Sequence, residues 1–351
     1  MTTRLRIGFL PLVDAALLVA ARDQGFAAAE GLDIELVREA SWANLRDRLS
    51  VGLLDAAQML APAAIAATLG LGHLRAPMAG PTMLSLNGAS ITVSAALFAE
   101  MAAAAEGDLA DPRIAAAAFA KVAAARAARG EARPTLATVF AFSTHTLLIG
   151  AFLKLANLKP GVDVPLIVLP PQYTAASLAN GQIDGFCAGA PWNAVAVASG
   201  TGVIAALGVD LMPDAPEKLL VMRADDVERR AETAIALTRA MLAAAEWAEQ
   251  PQHRDDLARL LARADCVDAP AKTIEAVLAG EIEVGAGRPP RRAADYLRID
   301  RAALAPSPAI AERTIEAMIA AGQLADTTEA RAAARRVFRD DLFAAAQRSA
   351  G

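Results

Sequence analysis

Gly52-Leu53-Leu54-Asp55-Ala56-Ala57 and Gly181-Gln182-Ile183-Asp184-Gly185-Phe186 are two copies of one pattern, one in each half of the first 200 residues. Each follows a stretch that reads as a helix. The Gly ends that helix, a bend follows, and the Asp opens a short apolar run that reads as a buried strand. Two helix–Gly–Asp–strand units are the layout of a two-lobed α/β architecture, in which each lobe offers loops and helix N-termini to a shared cleft. A single G-x-x-D turn occurs in any α/β protein. The pair points to the fold and leaves the ligand open.

Composition agrees with more than one lobe. A chain of 351 residues suits two domains better than one core. Hydrophobic residues make up 55%, but Ala supplies much of that, so the figure reflects helix content. No uncharged apolar run approaches the roughly 20 residues needed to span a bilayer. The net charge is −5, and Arg is scattered along amphipathic stretches, which argues against direct nucleic-acid binding. Cys187 and Cys266 are the two cysteines, too few for a zinc or iron–sulfur site and not expected to pair. No cofactor or metal is expected.

The N-terminus bears on compartment. Arg4 and Arg6 followed by Ile7 to Leu12 look like the start of a signal peptide. Asp14 interrupts that run, Arg22-Asp23 follows, and no Cys is nearby for lipoprotein attachment. Ile7 to Leu10 reads as a first strand, Ala15 to Gln24 as a helix ending at Gly25-Phe26, and Leu32 to Val37 as a second strand. Cleavage would delete strand one, so the chain is expected to be mature from Met1 and cytoplasmic.

The same reading organises the rest. A helix over Trp42 to Val51 and a strand over Asp55 to Leu60 complete a first lobe that runs to about Leu86. Asn87-Gly88 is a turn, and Ile91 to Ser94 crosses into a second lobe. The Ala-rich stretch from Leu97 to Arg129 breaks at Gly107 and Asp111-Pro112 into two helices. Thr138 to Phe142 reads as a strand, Ser143-Thr144-His145 opens a helix ending near Asn157, Asp163 to Leu169 is a strand, and Gln172 to Ala179 a helix. After about Thr201 the chain returns to the first lobe and becomes mostly helical. The expected division is 1–90 with 202–351 as lobe I and 91–201 as lobe II.

Four residues are candidates for a ligand site. His145 stands in the first turn of a helix whose free N–H groups attract an anion; the plain alternative is a core or surface histidine. Trp42 follows the N-cap Ser41 and carries an indole N–H donor, although it could simply pack under lobe I. Lys218, after Pro216-Glu217, lies where a cation reaches the cleft, while most lysines are merely solvated. Gly189, after the second Asp-led strand, lets a backbone N–H approach a small ligand. No Ser/His/Asp or paired-carboxylate arrangement stands out, so an enzyme is not expected.

Ser41-Trp42-Ala43-Asn44-Leu45-Arg46-Asp47, Asp55 to Pro62, Ser85-Leu86-Asn87-Gly88, Thr144-His145 and Asp184 to Asn193 together resemble the nitrate/bicarbonate solute-binding proteins of the NrtA/CmpA type. The resemblance covers most of residues 4–225. It implies a two-lobed, type II periplasmic-binding-protein-like α/β fold with its ligand cleft between the lobes and a helical C-terminal third. It also implies a small planar anion as ligand, contacted by Trp42, His145, Gly189 and Lys218. The bicarbonate branch carries a carboxylate at the Lys position and works with calcium, so Lys218 favours nitrate or nitrite without metal. The chain departs from the family at Ala89-Ser90, where a Gln is common, and at Ala190, where Glu is usual. With the cytoplasmic expectation, it most resembles the nitrate/nitrite sensor branch of the NasS type. That branch implies an RNA-binding antiterminator of the ANTAR type as partner, held by the ligand-free sensor and released on binding. The alternatives are the substrate-binding component of a nitrate/nitrite ABC transporter, and the thiamin-pyrimidine synthases of the same fold, whose Cys-rich iron site is not matched here.

Overall fold

The computed structural model describes residues 2–72 and 74–348. Its strands are β1 (Thr3–Phe9), β2 (Leu32–Arg38), β3 (Ala56–Leu60), β4 (Met78–Asn87), β5 (Ala89–Ser94), β6 (Leu136–Thr138), β7 (Leu166–Val168), β8 (Gly185–Gly189), β9 (Gly202–Leu207), β10 (Pro216–Arg223), β11 (Glu281–Ile282), β12 (Arg291–Arg292) and β13 (Leu297–Arg298). The first sheet has the order β13-β4-β10-β3-β1-β2 and the second β7-β6-β8-β5-β9, while β11 pairs with β12. Each sheet has a parallel half, β2-β1-β3 and β7-β6-β8. Antiparallel strands β10 and β4 complete the first, β5 and β9 the second. The parallel halves bring strand C-termini and the helices that follow them to one edge of each sheet, where ligands bind in α/β folds.

The repeated sequence pattern has one physical job in both copies. After the helix Trp42–Ser50, the Leu53 N–H donates to the Arg48 carbonyl (2.8 Å) and the Gly52 N–H to the Leu49 carbonyl (3.1 Å). After the helix Pro171–Ala179, Gln182 and Gly181 repeat those bonds to Ser177 (3.0 Å) and Leu178 (3.1 Å). Both are Schellman closures, which need a left-handed residue; Gly52 has φ 81° and Gly181 φ 67°. The Asp then clamps its strand to the neighbouring one. The Asp55 N–H donates to the Arg6 carbonyl and Asp55 Oδ2 accepts from the Arg6 N–H, both at 2.9 Å. Asp184 makes the same exchange with Thr135, donating at 2.9 Å and accepting at 2.8 Å. Arg126 covers its other oxygen at 2.9 Å.

Two departures from the sequence expectation have clear causes. The strand expected over Thr138 to Phe142 is confined to Leu136–Thr138, because the hydroxyls of Ser143 and Thr146 both donate to the Phe140 carbonyl (2.7 and 2.8 Å) and pull that segment into a turn. The second sheet also runs past residue 201. β9 pairs antiparallel with β5, from Ser94 opposite Gly202 to Ser90 opposite Leu207, so the chain leaves this sheet after 207. The ten-residue buried strand β4 contains Gly80 and Pro81. The proline has no N–H to give, and the ladder to β10 is irregular opposite it, between Leu220 and Met222.

Helices cover the sheets. The helix Ala231–Ala248 buries Ala234, Leu237, Met241 and Ala245 at helical spacing and packs on the helix Ala16–Asp23 above the first sheet. Each fully buried Leu or Met of that stripe is worth about 1.5–3 kcal/mol. The second sheet packs on the helices Ala95–Ala104, Pro112–Ala128 and Thr144–Lys154, with Phe119 and Phe152 meeting edge to face at 6.0 Å. No helix among the described residues is long and apolar enough to cross a membrane.

Candidate functional site

The seam between the two sheets is bridged by hydrogen bonds from both sides. The Val13 N–H donates to the Ala190 carbonyl (2.9 Å), Trp192 Nε1 to the Pro11 carbonyl (3.0 Å), Gln172 Nε2 to the Ala40 carbonyl (2.8 Å) and Thr144 Oγ1 to the Pro216 carbonyl (2.5 Å). Between these bridges lies a cluster of buried polar side chains that no apolar core would choose.

Two helix N-termini deliver two of them. Ser41 caps the helix Trp42–Ser50 by accepting from the Asn44 N–H (3.2 Å), which sets Trp42 at its first position, buried. Ser143 caps the helix Thr144–Lys154 by accepting from the Thr146 N–H (3.0 Å), which sets His145 in the first turn, fully buried. Strand β10 delivers Lys218, opposite Ser85 of β4 and Leu60 of β3. The ladder is irregular on both sides of Lys218, between Pro216, Lys218 and Leu219. That bulge breaks the alternation that would send Glu217 to the far face, so Glu217 and Lys218 both reach the seam.

Lys218 Nζ sits 2.9 Å from Asp14 Oδ2, 2.5 Å from Glu217 Oε1 and 5.3 Å from the centre of the Trp42 ring. Asp14 Oδ1 accepts from Gln58 Nε2 (2.5 Å), and Gln58 Oε1 accepts from the Leu10 N–H (3.0 Å), so Asp14 is anchored from behind. Glu217 Oε1 also lies 3.5 Å from His145 Nε2. A Cβ added to Gly189 would stand 3.6 Å from both Asp14 Oδ2 and His145 Nε2, which places that glycine against the same cluster. Trp42, His145, Gly189 and Lys218 thus converge from both sheets.

Among the described residues, Trp42 Nε1, Ser85 Oγ, both ring nitrogens of His145 and Glu217 Oε2 are buried with no hydrogen-bond partner. Orphaned buried polar atoms are rare and costly, about 1–3 kcal/mol each, and their concentration at one seam makes it the candidate ligand site.

Burial dominates the protonation of the cluster. It pushes Asp14 up to about 6, with Lys218 pulling back part of the way. It raises Glu217 too, again opposed by Lys218 and less by the Thr144 hydroxyl. Burial alone would lower Lys218, but Asp14 and Glu217 outweigh it and hold the ammonium above its ordinary value. His145 falls well below 6.5 through burial and then Lys218, so its imidazole is neutral and offers one N–H.

The sign for Asp14 gives a first prediction. Its folded value lies above its unfolded one, 3.8, so its contribution to stability is complete below that value and is lost as pH rises through about 6. The unfolding free energy of the wild type relative to Asp14→Asn should therefore fall by about 2–3 kcal/mol from about pH 4 to about pH 7. Urea denaturation of both proteins across that range checks it, and a pH-independent difference would contradict the assignment.

Sequence reasoning missed Asp14, Gln58, Ser85 and Glu217. Asp14 read as a break in the apolar N-terminal run, and Glu217 as a neighbour of Lys218. No paired carboxylates were expected, yet Asp14 and Glu217, far apart in sequence, meet at one ammonium. Lys218 was read as a spare cation for an anion, and it is instead shared between those carboxylates. The one signal available was Asp14 itself, a charge inside an otherwise buried apolar run.

Two α/β sheets meeting at a buried polar cluster have the build of the solute-binding-protein fold, in which a small ligand is held between two lobes. A family match over residues 1–262 is consistent with that class: the chain belongs to the NMT1-like family. It is similar to the nitrate/nitrite binding protein NrtA of Nostoc, 31% identical over 292 residues, covering 82% of this chain and 63% of the relative. It is also similar to the bicarbonate transport ATP-binding protein CmpC of Synechocystis, 35% identical over 272 residues, covering 74% of this chain and 37% of the relative. The chain thus spans less than two thirds of either. Among solved structures, the periplasmic nitrate-binding protein NrtA from Synechocystis matches with a TM-score of 0.89 at 28% identity, over 99% of this chain and 89% of that one. The fold is therefore the α/β periplasmic-binding-protein-like fold implied by the sequence resemblance.

Proposed function

We propose that the pocket binds nitrate or nitrite, and that the protein is a cytoplasmic sensor. In this reading it holds an RNA-binding antiterminator of the ANTAR type while ligand-free and releases it when the anion closes the cleft. The observation that carries the ligand is the set of unpartnered donors, Trp42 Nε1, Ser85 Oγ and a His145 N–H, gathered around Lys218. A small planar oxyanion has acceptors for all of them. The similarity to nitrate-binding NrtA supports the same ligand.

One feature supports the sensor role. A net charge of −5 leaves RNA contact to the partner. The similarity to the bicarbonate transport protein CmpC supports a second reading, the anion-binding component of an ABC transporter.

Gel filtration of the protein co-expressed with a candidate antiterminator separates the two. The pair should co-elute without ligand and dissociate in millimolar nitrate or nitrite. A ligand shifts such an equilibrium only by its differential affinity for the two states, so the partner must weaken nitrate binding by the same factor. A pair that never associates, or that stays associated at saturating anion, would return the protein to the transporter reading.

A further inference from the structure

We propose that the pocket takes up its anion together with one proton, which is held at the free oxygen of Glu217. This rests on the reading of the ligand as a small oxyanion. The argument is a count of charges and hydrogen bonds in a closed space. Lys218 is the cation of the cluster, and Asp14 and Glu217 already hold it at 2.9 and 2.5 Å. With both carboxylates ionised the cluster carries one net negative charge before any anion arrives. A second uncompensated charge in an enclosed, low-dielectric site is strongly unfavourable, and buried groups answer by changing protonation.

Every other titratable group facing Glu217 is accounted for. Asp14 has a donor at each oxygen, Gln58 on Oδ1 and Lys218 on Oδ2, so its carboxylate form is the one solvated by the protein. The Cys187 thiol is driven far up by burial, with Glu217 adding to the effect, and stays neutral. The Tyr296 hydroxyl, beyond Cys187, is likewise held neutral by burial and is hydrogen-bonded with Ser90 at 3.0 Å. His145 is kept neutral by burial and by Lys218. Glu217 differs from all of these. Its Oε1 takes the Lys218 ammonium, while Oε2 is buried with no hydrogen-bond partner among the described residues, the nearby Thr144 hydroxyl donating its proton to the Pro216 carbonyl instead.

An ionised Oε2 beside nitrate would set two acceptors against each other with nothing between them. A protonated Oε2 is a donor, and it joins the Trp42 and Ser85 donors on the anion. The proton comes from solvent and no covalent bond of the anion changes. Glu217 is then a specificity residue: it admits a monoanion at the expense of one proton and sets how strongly binding depends on pH.

The test is calorimetric titration of the full chain with sodium nitrate between pH 6.5 and 8.5, in buffers of different ionisation enthalpy. Wild type should absorb about one proton per nitrate at the alkaline end, with Kd rising up to about tenfold per pH unit, as one linked proton requires. Glu217→Gln should bind nitrate without proton uptake and with a flat pH profile. A wild-type count of zero with a flat profile overturns the proposal, and so does a Glu217→Gln protein that still absorbs the proton. The wild-type count decides the matter even if the variant does not fold. An absence of nitrate binding at every pH would overturn the anion reading itself, and this inference with it.

Discussion

Replacing Lys218 with methionine should lower the unfolding free energy by about 3–5 kcal/mol at neutral pH and abolish anion binding. Lys218 is fully buried and balances two carboxylates at 2.9 and 2.5 Å. Methionine matches its length but brings no charge. Removing one partner of a buried ionic cluster leaves the other charges desolvated and unpaired, and the loss is of that order. Against a total stability of about 5–15 kcal/mol for an ordinary domain, this is a large fraction. Trp42 also loses the cation over its ring, a smaller effect of about 1 kcal/mol.

The pH dependence of that loss has a definite sign. Without the ammonium, the folded-state values of Asp14 and Glu217 climb further above their unfolded values of 3.8 and 4.5. Protonation then relieves the folded state, so the difference between variant and wild type shrinks on acidification and grows as pH rises. Urea denaturation at about pH 5 and about pH 8 measures it. Combining Lys218→Met with Asp14→Asn and Glu217→Gln removes the stranded charges, and should restore most of the stability without restoring nitrate binding. A Lys218→Met protein within about 1 kcal/mol of wild type at pH 8 would show that the cluster is not the buried charge system described.

What the sequence disclosed follows from how far each signal reaches along the chain. The Gly–Asp pairs were legible because the Schellman closure and the strand clamp each involve residues a few positions apart, or one neighbouring strand. Helix starts at Ser41 and Ser143 were legible for the same reason, and they place Trp42 and His145. β9 was assigned to the wrong lobe because its pairing with β5 is a contact between segments about a hundred residues apart.

The site was legible by half. The four residues suggested by their positions all reach the seam. The other half is set by a bulge and by a contact between the turn after β1 and strand β10. Glu217 faces the pocket because β10 breaks its alternation, and no residue pattern announces that break. Asp14 meets Lys218 because β3 separates β1 from β10 in the first sheet, so that the turn after β1 lies over the end of β10. The chemistry changes as a result. A lone lysine in a cleft suggests simple attraction of an anion, whereas a lysine shared by two carboxylates demands an account of the extra negative charge.

Replacing Gly189 with valine should weaken nitrate binding by at least about a hundredfold, or ~2.7 kcal/mol, with little change in the folding of the second sheet. Gly189 ends β8 opposite Ala89 of β5 and has no left-handed backbone requirement, so a β-branched residue suits the strand. The obstacle lies in front of it. A Cβ there would stand 3.3 Å from Leu12 Cδ2 and 3.6 Å from Asp14 Oδ2 and His145 Nε2. Alanine would fit with a shift of a few tenths of an ångström by the flexible Leu12 end. The γ-methyls of valine would extend into the space between the two sheets, against the groups proposed to hold the anion. They would also push Leu12 away, and the neighbouring Val13 N–H makes one of the bonds that bridge the seam, to the Ala190 carbonyl at 2.9 Å. Gly189→Ala should accordingly show a smaller loss than Gly189→Val, and small-angle scattering should find that nitrate no longer compacts the valine protein. Valine-variant affinity within about tenfold of wild type would place the anion away from Gly189, and the pocket assignment would fall with it.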